Sequence, residues 1–404
     1  MRYNSTMNCP YFNSCGGCSM LDVPYEEQLH IKHKSIQEAF KQNGLPYDRI
    51  KHVLGMKEPW FYRNKVSFPI RRQNNRILMG YFKKRTHDVV SIEECYTQNP
   101  YLTEAGRICK ELFEHEEISA YDEKSHTGLL RHYIGRVGHF TGEIMIGLVV
   151  NGRGLPSVYK LAEDIRKRQR KLIRQVKGNK EYPLGEQKIH IVSIMQNINT
   201  QKGNTILADK SLPVFGPSFF QERLDKFVFK IRLNSFFQIN SPQAIRLYNQ
   251  VRKAAALTGS EFVVDAYAGV GPIALWLSEG ASEVVGIEAV RMSVKDATDN
   301  AVLNDVKNVK FEHLHAAEGL KKFKKADVVI LDPPRGGLTS DVKSRLARNR
   351  HKRIIYVSCN PLTLARDLKE LADHGYSIER TQPVDLFPHT EHIETVVTLN
   401  RNLD

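Results

Sequence analysis

Cysteine and tryptophan are scarce in this chain, six and two among 404 residues, and no apolar run is long enough to span a membrane. A membrane-spanning helix needs about 20 predominantly apolar residues, so an integral helical membrane protein is excluded. No stretch has the make-up of a secretory leader, which implies a cytoplasmic protein with reduced thiols and argues against a disulfide framework. Internal repeats and low-complexity tracts are missing too, which excludes a solenoid. Acidic residues are in the minority: 45 Asp and Glu stand against 59 Lys and Arg, a formal charge of +14 and a pI near 9.4. Such a surplus attracts polyanions in a salt-dependent way, and RNA fits it.

The densest basic run, Arg166-Lys167-Arg168-Gln169-Arg170-Lys171 continuing to Arg174, Lys177 and Lys180, is interspersed with Leu161, Ile165, Leu172, Ile173 and Val176. The spacing predicts a helix with one apolar face. Its basic side reads equally as a solvated face and as a phosphate-binding one.

Of the six cysteines, one has an unusual setting. Ser358-Cys359-Asn360-Pro361 follows the apolar strand pattern Ile354 to Val357 and precedes a helix-like segment from about Leu362, with Pro361 suited to its first turn. The thiol is therefore expected at the carboxyl edge of a sheet, where open α/β folds bind ligands, and Cys359 is a candidate nucleophile. An isolated cysteine is more often a core filler. Three further patterns reverse that reading.

In Val263 to Pro272 an apolar strand ends in Asp265 and a tight glycine turn, ahead of a helix from Ile273 to Ser278. Glycines there let the backbone approach a ligand at a helix amino terminus. A second strand, Glu283 to Ile287, ends at Glu288, whose carboxylate suits the two hydroxyls of a ribose. The third glycine of the dinucleotide fingerprint is missing, and no loop is built to cradle a pyrophosphate, which favours S-adenosylmethionine over NAD. The strand Asp327 to Leu331 delivers Asp332 into the rigid turn Asp332-Pro333-Pro334-Arg335, a turn type that lies beside the target base in nucleobase methyltransferases. In the last strand, His392 to Leu399, Glu394 interrupts the apolar run, and an acid on a buried strand calls for a reason.

Three more cysteines, Cys9, Cys15 and Cys18, follow C-x5-C-x2-C, and Cys95 offers a distant fourth thiolate. Four soft ligands suit zinc or an iron–sulfur cluster, and spacing alone leaves the metal open. Cys109, in the apolar run Leu102 to Phe113, is assigned to core packing.

Together these residues resemble the RNA uracil-C5 methyltransferases, which make 5-methyluridine in tRNA and ribosomal RNA. The resemblance runs from the amino-terminal Cys-Gly-Gly-Cys through Tyr62-Arg63-Asn64-Lys65, Gln196-Asn197-Ile198-Asn199 and Ser235-Phe236-Phe237-Gln238-Ile239-Asn240 to the Asp332, Cys359 and Glu394 motifs. It implies Cys359 as nucleophile and Glu394 as base, with Gln238, Tyr267, Glu288 and Asp332 holding S-adenosylmethionine. His315 is the candidate for the adenine edge. It also turns the four cysteines Cys9, Cys15, Cys18 and Cys95 into ligands of a 4Fe-4S cluster. Many members carry a small β-barrel ahead of the cysteines, and Cys9 lies too near the amino terminus for one to be expected here; a monomer is expected, and a uridine of 23S rRNA as the target, with tRNA as the alternative. The cytosine enzymes carry an extra cysteine beside their Asp-Pro turn, and this chain has none there, so uracil is the expected base. Arg63, Asn64, Lys65, Arg131 and His132 are candidate RNA contacts. Two readings from other classes stay open: an RNA-binding protein with an inactive catalytic domain, and an iron–sulfur redox sensor.

The expected architecture is an α/β methyltransferase domain of Rossmann-like form over residues 229–404. It is preceded by a mixed, β-rich domain over 49–228 and a cysteine-rich iron–sulfur region over 1–48 that includes a helix from Tyr25 to Phe40. Strands are predicted near 62–70, 77–82, 129–139, 143–150, 190–199 and 204–208, and helices near 100–117 and 157–177.

Overall fold

The computed structural model describes residues 8–178 and 188–402. In chain order its elements are helix α1 (Tyr25–Gln42), strands β1 (Lys65–Gln73), β2 (Arg76–Phe82) and β3 (Val89–Ser91), helix α2 (Pro100–His115), strands β4 (Leu130–Val137) and β5 (Glu143–Val150), and helices α3 (Val158–Lys167) and α4 (Gln169–Gly178). Strands β6 (His190–Ile198), β7 (Ser211–Phe215), β8 (Phe219–Leu224) and β9 (Phe227–Arg232) lead to helix α5 (Ser241–Ala255). The remainder alternates: β10 (Phe262–Asp265), α6 (Pro272–Leu277), β11 (Glu283–Glu288), α7 (Arg291–Leu303), β12 (Val309–His313), α8 (Ala316–Lys322), β13 (Val328–Leu331), α9 (Ser340–Asn349), β14 (Arg353–Ser358), α10 (Pro361–Asp373), β15 (Tyr376–Val384) and β16 (Glu394–Arg401). Among the described residues no helix is long and apolar enough to cross a membrane.

Two compact units result, one of residues 1–22, 59–224 and 230–234, the other of 23–58, 225–229 and 235–404. The first is built on a mixed sheet in the order β3-β2-β1-β4-β5-β6-β7. Alternate residues Val66, Phe68 and Ile70 of β1 enter a core with Leu102, Ile108, Cys109 and Leu112 of α2 and Leu161, Ile165, Leu172 and Val176 of the two following helices. Cys109 is a core side chain, fully buried. The single basic helix expected at 157–177 is broken at Arg168 into α3 and α4, both with the apolar face foreseen. On its basic side Lys167 pairs with Glu163 at 2.8 Å, Arg168 with Glu111 at 3.1 Å and Lys171 with Glu111 at 3.7 Å, so much of the charge is met within the fold. Lys180, the last residue of that run, lies outside the described residues.

No strand forms at 204–208. The reason lies in the neighbouring asparagines: Asn197 donates to Ala208 O at 2.7 Å and accepts from Ala208 N at 3.0 Å, and Asn199 donates to Thr205 O at 2.6 Å. Their side chains take the backbone groups a strand partner would have taken.

The second unit has the sheet order β12-β11-β10-β13-β14-β16-β15. Its first five strands are parallel, and β16 and β15 close it as an antiparallel pair. Helix α1 belongs here and not with the cysteines, a departure from the division at residue 48. Ile36, Ala39 and Phe40 bury against the core that contains Leu364, Leu368 and Leu371 of α10, and that apolar face decides which unit the helix joins.

Candidate active site

The carboxyl edge of the second sheet carries most of the chemistry. β14 pairs with β16 up to Ser358 opposite Thr395, and β15 pairs with β16 up to Val384 opposite Glu394. One step beyond Ser358 is Cys359, so the register sets the thiol beside Glu394 on the adjacent strand. The loop bearing the thiol is tied to the Asp-Pro-Pro turn. Asn360 Nδ2 and Thr363 Oγ1 both donate to Arg335 O, at 3.3 and 3.2 Å, and Asn360 also caps α10 through Leu362 N at 3.1 Å. The motifs of Asp332 and Cys359, 27 positions apart in the chain, thus form one fixed surface.

Its electrostatics are those of crowded acid. Glu394 is only 5% exposed, and its Oε2 has no hydrogen-bond partner. Burial first, and Asp332 second, push its carboxyl well above the ordinary carboxylate range, and burial raises Asp332 with it. The Cys359 thiol is pushed up to about 11 by burial and then by Glu394 and Asp332, with Arg335 opposing. Asp265 is fully buried at the end of β10, with Oδ2 unpartnered, and is raised to about 7 by burial and by Asp332 and Glu288. Asp265 stands at the glycine turn in the sequence without an expected role there; an acid closing a wholly apolar strand is the signal that marks it.

The turn after β10 has the backbone that glycine permits. Gly269 and Gly271 have φ of +56° and +91°, a region other residues rarely enter. Gly269 N donates to Glu288 Oε2 at 3.0 Å and Val290 N to Glu288 Oε1 at 2.8 Å, which fixes the carboxylate across the turn. Tyr267 is in the same turn, half-buried, and Gln238 is buried just ahead of α5, whose N-cap Asn240 accepts from Gln243 N at 3.3 Å. His315 is exposed at the N-cap of α8, at the end of β12, the strand paired with β11. Cys359, Glu394, Asp332, Gln238, Tyr267 and Glu288 therefore all fall in the second unit, all but Gln238 at or next to the ends of its strands.

The other candidate centre lies in the first unit. Cys9, Cys15, Cys18 and Cys95 line one cavity together with Arg63, Tyr81 and Thr97. Thr97 Oγ1 stands 3.8 Å from Cys18 Sγ and 3.5 Å from Cys95 Sγ. Burial, followed by the neighbouring thiols, pushes Cys15 up to about 11 and also raises Cys9. Among the described residues no group of three or more His, Cys, Asp or Glu side chains is arranged around a single metal ion. Arg63, read from sequence as an RNA contact, is buried here instead, donating to Gly17 O at 2.7 Å; burial raises the Cys18 thiol, and the Arg63 charge opposes that rise. Arg131 is buried as well and donates to Asn199 O and Gln201 O at 2.8 and 2.7 Å, and Asn64 is buried too.

Comparison with known proteins agrees with this geometry. The family model for tRNA (uracil-5-)-methyltransferase matches residues 207–402. An RNA methyltransferase of Halalkalibacterium halodurans is 38% identical over 400 residues, covering 97% of this chain and 82% of its own. One from Caldanaerobacter subterraneus is 36% identical over 397 residues, covering 97% and 84%. The chain belongs to the RNA uracil-5-methyltransferase family. Among solved structures, the Pyrococcus abyssi tRNA (uracil-54, C5)-methyltransferase in complex with S-adenosyl-L-homocysteine superposes with a TM-score of 0.76 at 29% identity, covering 97% of this chain and 87% of that one. The α/β architecture, with its mixed sheets, is that of an S-adenosylmethionine-dependent RNA uracil-5-methyltransferase.

Proposed function

We propose that the enzyme methylates carbon 5 of a uridine in RNA through a covalent adduct with Cys359, with Glu394 as the base. The observation that carries this reading is the register that runs the end of β14 alongside the start of β16, with the thiol one residue past Ser358 and a buried carboxyl whose Oε2 is unpartnered at Glu394. Carbon 5 of uracil is a weak nucleophile. Addition of the Cys359 sulfur to carbon 6 moves the ring electrons into an enolate whose carbon 5 accepts a methyl group, which splits one hard step into two. Glu394 then takes the carbon 5 proton, the electrons of that bond restore the ring double bond, and the sulfur–carbon bond breaks to return the thiolate.

S-adenosylmethionine, when bound, supplies the methyl group and a positive sulfonium. The residues fit such a ligand: Glu288 is held for a ribose, and Asp265, Asp332 and Glu394 present a deficit of positive charge. A cation in the pocket would lower the proton affinity of the Cys359 thiol and of the Asp332 and Glu394 carboxyls together.

The same proposal assigns a 4Fe-4S cluster to Cys9, Cys15, Cys18 and Cys95. Support comes from the four thiols lining one cavity. In such a cluster each thiolate holds a separate iron, so the ligands need not converge on one point. For the substrate we favour 23S rRNA, on the resemblance of the cysteine motif; the tRNA reading rests on the solved tRNA enzyme that superposes on this chain. Mapping 5-methyluridine in rRNA and tRNA fractions of a strain lacking the gene decides between them.

RNA carrying 5-fluorouridine tests the chemistry, because fluorine cannot leave as a proton does. The wild-type enzyme is expected to form an adduct stable to denaturing gels, and Cys359→Ala to form none. An adduct in Cys359→Ala would remove Cys359 as nucleophile.

A further inference from the structure

The buried face of α1 changes character half-way along. Its carboxyl half buries Ile36, Ala39 and Phe40, but on the same stripe the amino half carries Tyr25, Gln28 and Lys32, with Gln28 and Lys32 essentially inaccessible. The spacing i, i+3, i+7 aligns the three on one side of the helix. Apolar residues would be the cheaper choice there, since a buried ion pair rarely gains more than its desolvation costs.

All three polar groups grip one loop, residues 385–393, which connects β15 to β16. Lys32 Nζ donates to Asp385 Oδ1 at 2.7 Å and to Phe387 O at 3.0 Å. Tyr25 Oη donates to Asp385 Oδ2 at 2.8 Å. Gln28 accepts from His389 N at 2.8 Å, and its Nε2 lies 3.0 Å from His389 Nδ1. His389 is held in a left-handed conformation, φ +65°. The loop begins immediately after Val384, the register partner of Glu394, and ends at Glu394 itself. Because Glu394 Oε2 has no hydrogen-bond partner, the place of that carboxyl is set by the backbone at the start of β16.

We propose that Tyr25, Gln28, Lys32 and Asp385 are positioning residues for the proton-abstraction step. By clamping the hairpin loop, α1 fixes the start of β16 so that the Glu394 carboxyl meets the carbon 5 proton of the adduct. The proposal rests on the reading of Glu394 as the base.

The test separates methyl transfer from adduct breakdown in single-turnover reactions on substrate RNA. Lys32→Met combined with Asp385→Asn removes both charges, so neither is stranded. The double variant is expected to transfer methyl within threefold of the wild-type rate but to release product at least tenfold more slowly, with the methylated adduct accumulating. Release within threefold of wild type, or loss of both steps by one common factor, overturns the proposal. Should the double variant fail to fold, Tyr25→Phe deletes one hydroxyl only; about threefold slower release supports the clamp there, and unchanged release overturns it. Glu394→Gln is run alongside. Normal release in Glu394→Gln overturns the base assignment and the clamp with it, whereas slow release in Glu394→Gln with normal release in the double variant overturns the clamp alone.

Discussion

Two thiols in this protein, Cys15 and Cys359, are pushed to the same value, about 11, by burial first and then by different neighbours. At Cys15 the neighbours that add to burial are other thiols, Cys95, Cys18 and Cys9; at Cys359 they are the carboxyls of Glu394 and Asp332. A thiol with raised proton affinity is a poor nucleophile and a poor ligand until a cation arrives. The two sites therefore call for different cations. Four thiols around a cavity suit metal, which is bound by thiolates directly. A single thiol beside carboxyls on a strand edge suits an organic cation that lowers all three proton affinities without being ligated. Arg63 sharpens the contrast: it brings a fixed positive charge to the first cavity through Gly17 and Cys18, whereas Arg335 opposes the raised value in the second.

The comparison breaks most sharply if the two cysteine sites are not independent. Cys359→Ser is expected to abolish methyl transfer while leaving iron content and melting temperature at wild-type values. Cys95→Ser is expected to do the reverse in the first place: iron falls from about four per chain, as four thiolate ligands imply. The melting temperature drops by roughly 10 °C, which corresponds to a few kcal/mol of metal-linked stability at about 2–4 °C per kcal/mol. Iron and sulfide analysis with calorimetry on anaerobically purified protein checks both arms. A colourless Cys95→Ser that melts like the wild type would show that the first cavity holds no structural metal.

How much of this contrast was visible before the fold was known depends on distance along the chain. The strand ends at Asp332 and Cys359 were legible because buried parallel strands read as continuous apolar runs, and because Pro333, Pro334 and Pro361 mark the turns where those runs stop. The apolar faces of α3 and α4 were legible from periodicity; their break at Arg168 was not, since no proline or glycine marks it. Arg63 and Arg131 read as RNA contacts because they sit in stretches that resemble family motifs, and only the fold shows their guanidinium groups turned onto carbonyls of Gly17, Asn199 and Gln201. The membership of α1 in the methyltransferase unit depends on residues more than 300 positions away, such as Asp385. No local pattern carries that information.

The acidic site should also reveal itself in pH dependence, with an effect smaller than loss of activity. Asp265 is raised in the folded protein from 3.8 to about 7. A raised carboxyl means that the folded state binds more protons than the unfolded one between those two values, so stability falls as pH rises from about 4 to 7 and levels off above. The shift of about three units corresponds to at most about 4 kcal/mol. Asp265→Asn removes that titration. Its stability from urea unfolding should therefore exceed that of the wild type at pH 8 and should fall less between pH 5 and pH 8. Parallel pH profiles for the two proteins would mean that Asp265 is not held as a neutral acid in the folded protein.

The smallest expected effect concerns Glu288, and it sharpens what the second site offers a ligand. Its two oxygens already accept from Gly269 N and Val290 N at 3.0 and 2.8 Å, which fixes the carboxylate and leaves lone pairs for ribose hydroxyls. Hydrogen bonds to a charged acceptor contribute about 1.5–3 kcal/mol, so Glu288→Ala should weaken S-adenosylmethionine binding by roughly 10- to 150-fold at about 1.4 kcal/mol per factor of ten. The alanine also frees the glycine turn, and Glu288→Gln separates the two contributions. Glutamine keeps an oxygen for one of the backbone N–H groups but loses the charge, so its affinity should lie between those of the wild type and the alanine variant. Titration calorimetry with S-adenosyl-L-homocysteine, which lacks the sulfonium charge, extends the comparison. If Glu288 acts on the ribose and the buried carboxyls on the sulfonium, as proposed, Glu288→Ala should weaken both ligands by the same factor. A loss confined to S-adenosylmethionine would instead place Glu288 with the acidic group that meets the sulfonium, and the ribose would need another partner on the strand ends.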